Sequence, residues 1–143
     1  MSKTYVPAQL RRQVAENARD CCEYCLQPEL FSLGVHQIDH VIAEKHGGKT
    51  LLRNLAFACN RCNIYKGSDI ASIDPETEIT TRLYHPRRDR WSDHFQLQEE
   101  VLVPLTDIAR TTVWLLQLNS AYRLRERKTW LASGLIYIPE LAE

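Results

Sequence analysis

Apolar residues recur at Leu10, Val14 and Ala18, behind a proline at position 7. A spacing of four places them on one face of a helix, and proline suits a first helical turn, so residues 7–19 are expected to be helical. The apolar pieces that follow are short. Residues 35–40 read as a strand of imperfect period, and residues 55–58 as a second strand or a turn. Between them Gly47-Gly48 forces a loop or hairpin turn. Residues 62–68 read as a short helix, and the polar stretch 69–78 as a connector.

The texture then changes. Residues 95–97 and 101–103 flank the polar Gln98-Glu99-Glu100 and are expected to pair as a hairpin. Thr106 stands where an N-cap belongs. Ile108, Val113, Leu115, Leu116 and Leu118 make the next helix mainly apolar, and Asn119-Ser120 breaks or caps it. A second, amphipathic helix runs to about residue 133, with Gly134 at the position that favours a left-handed residue. There is no internal repeat and no low-complexity segment. The pattern predicts a mixed α+β protein. One unit spans residues 1–70, and an extension over residues 79–143 either packs on it or mediates interactions.

A chain of 143 residues suits one ordinary domain with a real core. No stretch approaches 18 apolar residues, so no membrane span is expected. No apolar run follows Met1-Ser2-Lys3-Thr4-Tyr5, so the reading is a cytoplasmic protein without a secretory signal. Lys and Arg number 18, equal to Asp and Glu, so the net charge is zero. A strong non-specific binder of nucleic acid carries a basic excess. Any such binding therefore rests on local runs. Arg82, Arg87, Arg88 and Arg90 form one, with Asp89 against them. Arg123, Arg125, Arg127 and Lys128 form another, with Glu126 among them. Either run also reads as a solvated face.

Four of the five cysteines fall in two pairs of the same spacing, Cys22-Glu23-Tyr24-Cys25 and Cys59-Asn60-Arg61-Cys62, with 33 residues between the pairs. Each pair is a tight turn that aims two thiolates at one point. Together they supply the closed tetrahedral shell of structural zinc, which contributes folding free energy and does no chemistry. Cys21 with Cys25 is geometrically possible, but Cys22 gives the symmetrical spacing.

Between and after the pairs lie His36-Gln37-Ile38-Asp39-His40, His46-Gly47-Gly48, Asn54-Leu55 and Asn63-Ile64-Tyr65-Lys66-Gly67. Phosphodiester hydrolysis needs a base for water, a cation for developing charge, and donors that fix geometry. An imidazole suits the base because its ordinary pKa, about 6.5, lies near working pH. Asp39 and Asn63 offer the oxygen ligands a hard divalent cation prefers.

In that order, Asp39-His40, Gly47-Gly48, Asn54-Leu55 and Cys59-x-x-Cys62-Asn63-x-x-Lys66-Gly67 resemble the HNH endonuclease family in its zinc-knuckle variant, over residues 19–68. The resemblance implies a ββα-metal core of two strands and a helix around one cation. It implies His40 as general base, and Asp39 and Asn63 as ligands of a Mg2+ or Mn2+ ion. It implies Asn54 as the asparagine whose hydrogen bonds fix the loop that orients the histidine. Lys66 is placed to contact phosphate. Asn63 stands where many members have histidine, a variant that suits magnesium-like ions, and Ala43 stands where proline is common. The tail around Trp91-Ser92-Asp93-His94-Phe95 also resembles an extension of some bacterial HNH proteins.

One tension comes from strand geometry. Adjacent strand residues point to opposite faces, so Asp39 and His40 share a site only if the strand twists or ends at His40. His36 would share the face of His40, which makes it a rival ligand or a hydrogen-bond partner of one. His46, His85 and His94 read as structural, and Trp91, Trp114 and Trp130 as packing residues. The expected activity is metal-dependent hydrolysis of nucleic acid, DNA in the first place, with structural zinc beside the catalytic ion. Two rivals stand: a non-catalytic zinc module that binds nucleic acid or protein, and an interaction protein whose nuclease core is vestigial.

Overall fold

Pro7 presets the backbone for the helix that follows it in the computed structural model, which describes residues 5–139. Helix α1 (Ala8–Asn17) buries Val14 against Val6, Ala18, Leu55 and Phe57, a small apolar cluster with Leu10 and Ile38 at its margin. Arg19 and Asp20 then take left-handed φ values of 52° and 59°, which turn the chain sharply into the first cysteine pair.

Strand β1 (Gln37–His40) pairs antiparallel with β2 (Leu55–Ala58), with Gln37 opposite Ala58 and His40 opposite Leu55. β1 is shorter than the apolar pattern suggests. The backbone N–H of His36 donates to Glu29 Oε2 at 2.8 Å and so leaves the ladder. Helix α2 (Asn60–Lys66) starts before Cys62 because the second cysteine turn is itself its cap. Cys59 is the N-cap, and its Sγ accepts from Cys62 N at 3.4 Å. These three elements make the expected ββα unit.

The stretch read as a connector is a second hairpin. β3 (Ala71–Ile73) pairs with β4 (Thr80–Arg82), and the turn is built on the buried carboxylate of Asp74. Asp74 accepts from Glu76 N and Thr77 Oγ1, both at 3.0 Å, and from Arg110 Nε and Nη2 at 2.9 and 2.6 Å. The Arg110 guanidinium holds its carboxyl well below the usual range. Strands of three residues carry too little alternation to be read from sequence, and Arg110 lies far away along the chain.

Helix α3 (Trp91–His94) leads into the hairpin of β5 (Phe95–Gln98) and β6 (Val101–Pro104), where the sequence placed one. Helix α4 (Asp107–Leu115) is capped by Thr106, whose Oγ1 accepts from Ala109 N at 3.1 Å. It stops before Leu116 and Leu118, which are buried in the turn that follows, where Gln117 has φ 54°. Helix α5 (Ala121–Ser133) runs from the Ser120 cap to Gly134, whose φ is 73°.

One buried cluster runs through both halves of the chain. It joins the four paired cysteines and Tyr24 to Trp91, Phe95, Leu102, Leu116 and Leu118. Two arginines of α5, one turn apart, reinforce the junction. Arg127 is fully buried and donates to the carbonyls of Cys25 (3.2 Å), Glu100 (2.9 Å) and Leu118 (2.7 Å). Arg123 is buried beside it. The second basic run is therefore not one surface patch, since only Arg125 and Lys128 of its four cations are exposed. Among the tryptophans Trp91 and Trp130 are buried, whereas Trp114 is 58% exposed and is no packing residue.

Arg127→Met leaves three carbonyls without their donor. At about 1–3 kcal/mol for each orphaned buried group, the unfolding free energy is expected to fall by at least about 3 kcal/mol. Urea denaturation of the zinc-loaded protein measures it, and a loss within experimental error would show that the arginine does not bind the halves together.

Candidate active site and zinc knot

The Sγ atoms of Cys22, Cys25, Cys59 and Cys62 all lie within 4.8 Å of one another, and all four residues are buried. A tetrahedron of zinc–sulfur bonds has sulfur–sulfur edges of about 3.8 Å, so the donor set fits zinc in number, type and spacing. Backbone N–H groups already point at the sulfurs. Tyr24 N and Cys25 N donate to Cys22 Sγ, each at 3.4 Å, as Cys62 N does to Cys59 Sγ. Burial, together with neighbouring cysteines, pushes the thiols of Cys22 and Cys62 well up. Burial raises Cys25 as well, but hydrogen bonds from the other three outweigh it and bring that thiol well below its ordinary value. Thiols this crowded cannot all ionise in an apolar setting, and a central dication removes the conflict.

Arg123 completes the knot, donating from Nη1 to Cys62 Sγ at 3.3 Å. Burial opposes its charge, but the thiolates of Cys62, Cys25 and Cys59 outweigh burial and hold the guanidinium protonated. Zinc among four thiolates is net negative, and this arginine offsets that charge. Cys21 takes no part. It lies outside the cluster, and its Sγ donates to Leu135 O at 3.3 Å.

Beside the knot, the β1–β2 connection is clamped by Asn54. Its Oδ1 accepts from Ile42 N at 2.9 Å, and its Nδ2 donates to Ile42 O at 3.0 Å and Lys49 O at 2.9 Å. Thr50, next to Lys49, places its Oγ1 2.9 Å from His40 Nε2. A chain of bonds thus runs from Asn54 through Lys49 and Thr50 to the His40 ring. Gly48 is obligatory here for space, because a Cβ at that position would stand 1.6 Å from Ile42 O. His40 is the last residue of β1, and its Nδ1 is buried without a partner among the described residues. An orphaned buried polar atom is uncommon and calls for a reason such as a partner supplied by a bound molecule.

The family model described as HNH endonuclease matches residues 22–69, a third of the chain. The chain carries an HNH endonuclease domain. The match begins at Cys22 and takes in both cysteine pairs, the ββα unit, Asn54 and His40, and it leaves residues 70–139 outside. No curated protein and no solved structure matches the chain. Among the described residues no helix is long and apolar enough to cross a membrane.

Within the HNH domain the residues expected to share one site are divided between the two faces of the hairpin. His40 lies opposite Leu55, on the face that α1 covers, and Asp39 lies opposite Ala56, on the face toward the knot. The Asp39 carboxylate is buried. Its Oδ2 accepts from Tyr24 OH at 2.8 Å, and Lys66 Nζ lies 3.3 Å from Oδ1 and 3.2 Å from Oδ2. Burial raises its pKa, against the opposing pull of Lys66, Tyr24 and His40. Lys66 is 2% exposed and also donates to the carbonyls of His40 (3.4 Å) and Val41 (3.0 Å). It is therefore an internal pin and is not presented to phosphate.

Asn63 lies on α2 one turn before Lys66. A hard divalent ion held by Asp39 and Asn63 does not fit the side chains as they stand, because an ammonium already occupies the carboxylate. His36 is also drawn elsewhere. Its Nε2 is 2.8 Å from Gln27 O, and its ring meets Phe57 at 5.1 Å.

The first arginine run is largely paired as well. Arg82 grips Asp89 with two bonds of 2.8 Å, and Arg87 pairs with Glu23. His85 and His94 serve structure. His85 Nδ1 accepts from Arg87 N at 3.1 Å, and His94 Nδ1 is 2.7 Å from Thr106 Oγ1. The Glu23–Arg87 and Cys62–Arg123 links escaped the sequence because nothing local marks a charged residue as one that will be buried.

Replacing Arg123 by Met keeps length and removes the charge beside the thiolates. Zinc affinity, measured by competition with a chromogenic chelator, is expected to fall about 10- to 100-fold, the usual effect of losing a partner of a metal ligand. Gly48→Ala should lower the denaturation midpoint, since the clash is with backbone that cannot step aside. A midpoint equal to that of the unsubstituted protein would mean the Asn54 clamp is looser than its distances imply.

Proposed function

We propose that this chain is an endonuclease that hydrolyses phosphodiester bonds of nucleic acid, DNA in the first place. His40 acts as the general base, and a structural zinc ion sits in the four-cysteine knot. The observation that carries this reading is the chain of hydrogen bonds from Asn54 to the His40 ring, within the segment that matches the HNH endonuclease model.

Thr50 holds one ring nitrogen, which fixes the plane of the imidazole. The other nitrogen is uncommitted, as a base that must take a proton from water requires. Asn54 is a positioning residue, bonded to the loop on both sides of Gly48. The zinc ion would hold the two cysteine turns, and through them β2 and α2, without touching substrate. A magnesium- or manganese-like ion is typical of the family, but Asp39 and Asn63 do not offer it a free pair of ligands here, and no step is routed through it.

The same ion pair favours a second reading. A closed Asp39–Lys66 contact suits a zinc module that binds nucleic acid without cutting it.

Cleavage of supercoiled plasmid, with Mg2+ or Mn2+ in the buffer, separates the two readings. His40→Ala is expected to cut at least about 100-fold more slowly than the parent protein, the scale of general-base catalysis, with zinc content and melting unchanged. Undiminished cutting by the folded variant would sink the assignment of the base, and inert parent protein would leave the binding module.

A further inference from the structure

A cleft of about 490 Å³ opens beside the residues just described, lined by Asn17, Leu51, Leu52, Arg53 and Arg87. Its first wall starts one residue after Thr50, whose hydroxyl meets His40. Its second wall is Arg87, which belongs to the extension and lies outside the family match. We propose that this cleft carries the sugar-phosphate backbone of a nucleic-acid strand away from His40, so that the extension forms part of the substrate-binding surface. The proposal rests on the reading of the chain as a protein that acts on nucleic acid.

The lining matches the chemistry of a strand. Arg53 is exposed and has no ion-pair partner among the described residues, so its guanidinium is free for a phosphate. Arg87 is fixed in place. Glu23 pairs with it, and the same carboxylate accepts from Phe57 N at 2.8 Å, which ties the arginine to the end of β2. Its Nε is buried without a partner among the described residues. Leu51 and Leu52, 40% and 36% exposed, give the cleft an apolar lip beside these cations. A strand offers both kinds of surface, charged phosphates and the less polar faces of sugars and bases. A small anion would have no use for the leucines, and an apolar ligand none for the unpaired Arg53.

Binding of a fluorescein-labelled duplex and of its single strand tests this, using full-length zinc-loaded protein that carries His40→Ala so that nothing is cut. Added to that protein, Arg53→Ala should raise Kd roughly tenfold and flatten the plot of log Kd against log salt by about one phosphate contact. Leu52→Asp, which places a negative charge on the lip, should also weaken binding. Arg125→Ala removes an exposed arginine of α5 outside the cleft and should change neither quantity.

The proposal fails if Arg53→Ala and Leu52→Asp both behave like Arg125→Ala. It also fails if polyglutamate competes as well as the oligonucleotide, because the cleft would then take an acidic peptide. Binding and cutting are read separately. Should the parent protein prove unable to cut while Arg53 still governs binding, the nuclease reading falls and the cleft stands. Should cutting depend on His40 while Arg53 has no effect on binding, the cleft falls alone.

Discussion

Four buried thiols within 4.8 Å of one another are the constraint on which the rest of the structure depends. Each pair sits in a turn of four residues, and neither turn has apolar side chains enough to hold its shape. Joined, they fix three things. The first turn is bonded to the end of β2 through Glu23, by Glu23 N to Phe57 O and Phe57 N to Glu23 Oε2, both 2.8 Å. The second turn starts α2, since Cys59 is its cap. The negative charge collected at the centre draws Arg123 inward, and α5 with it. Core hairpin, core helix and extension thus meet at one point, around a cluster that also holds Tyr24, Trp91 and Phe95.

The parity of a short strand decides what the two faces of the hairpin can do. Four residues of β1 are enough to send Asp39 to one side and His40 to the other. On the knot side, the carboxylate is neutralised by Lys66 and held by Tyr24, in a place with almost no solvent. Taking either charge away would strand the other, at a cost of about 3–5 kcal/mol for a buried pair. That arrangement reads as scaffold. On the other side, His40 carries one hydrogen bond and a ring nitrogen with none among the described residues, at the end of a strand and against a loop pinned by Asn54. The proposed chemistry falls on the face where a polar group is left unsatisfied, and not on the face where they are closed.

Much of this was legible in the chain. The cysteine spacing gave the knot, Gly47-Gly48 and Asn54 gave the clamped loop, and Thr106, Ser120 and Gly134 marked helix ends because each rule acts within a few residues. The 95–104 hairpin was legible for the same reason. What stayed hidden was long-range. Asp74 builds its turn with Arg110, Glu23 takes Arg87, and Cys62 takes Arg123, partners that no local pattern connects. Charged residues are read as surface by default, so Lys66, Arg123 and Arg127 looked available for phosphate when packing had already used them. Trp114 erred in the opposite direction, an apolar side chain left outside.

The neutral net charge takes on a different meaning once those burials are known. Positive groups enclosed at Lys66, Arg123 and Arg127 exert little pull on a polyanion, because their charge is matched by Asp39, by thiolates and by carbonyl dipoles. Arg82 and Arg110 are likewise held by Asp89 and Asp74. The cations left to meet a phosphate backbone, Arg11, Arg12, Lys45, Lys49, Arg53, Arg88, Arg125 and Lys128 among them, are exposed, and each is screened over about 10 Å at ordinary salt. With a net charge of zero, general attraction for a polyanion is weak, and any grip depends on local unpaired cations. On the proposed reading, the part of that grip that matters lies where an unpaired arginine stands near His40. Arg53, three residues beyond Thr50, meets that condition from within the matched segment. The extension contributes Arg87 as the opposite wall, with its charge already matched by Glu23.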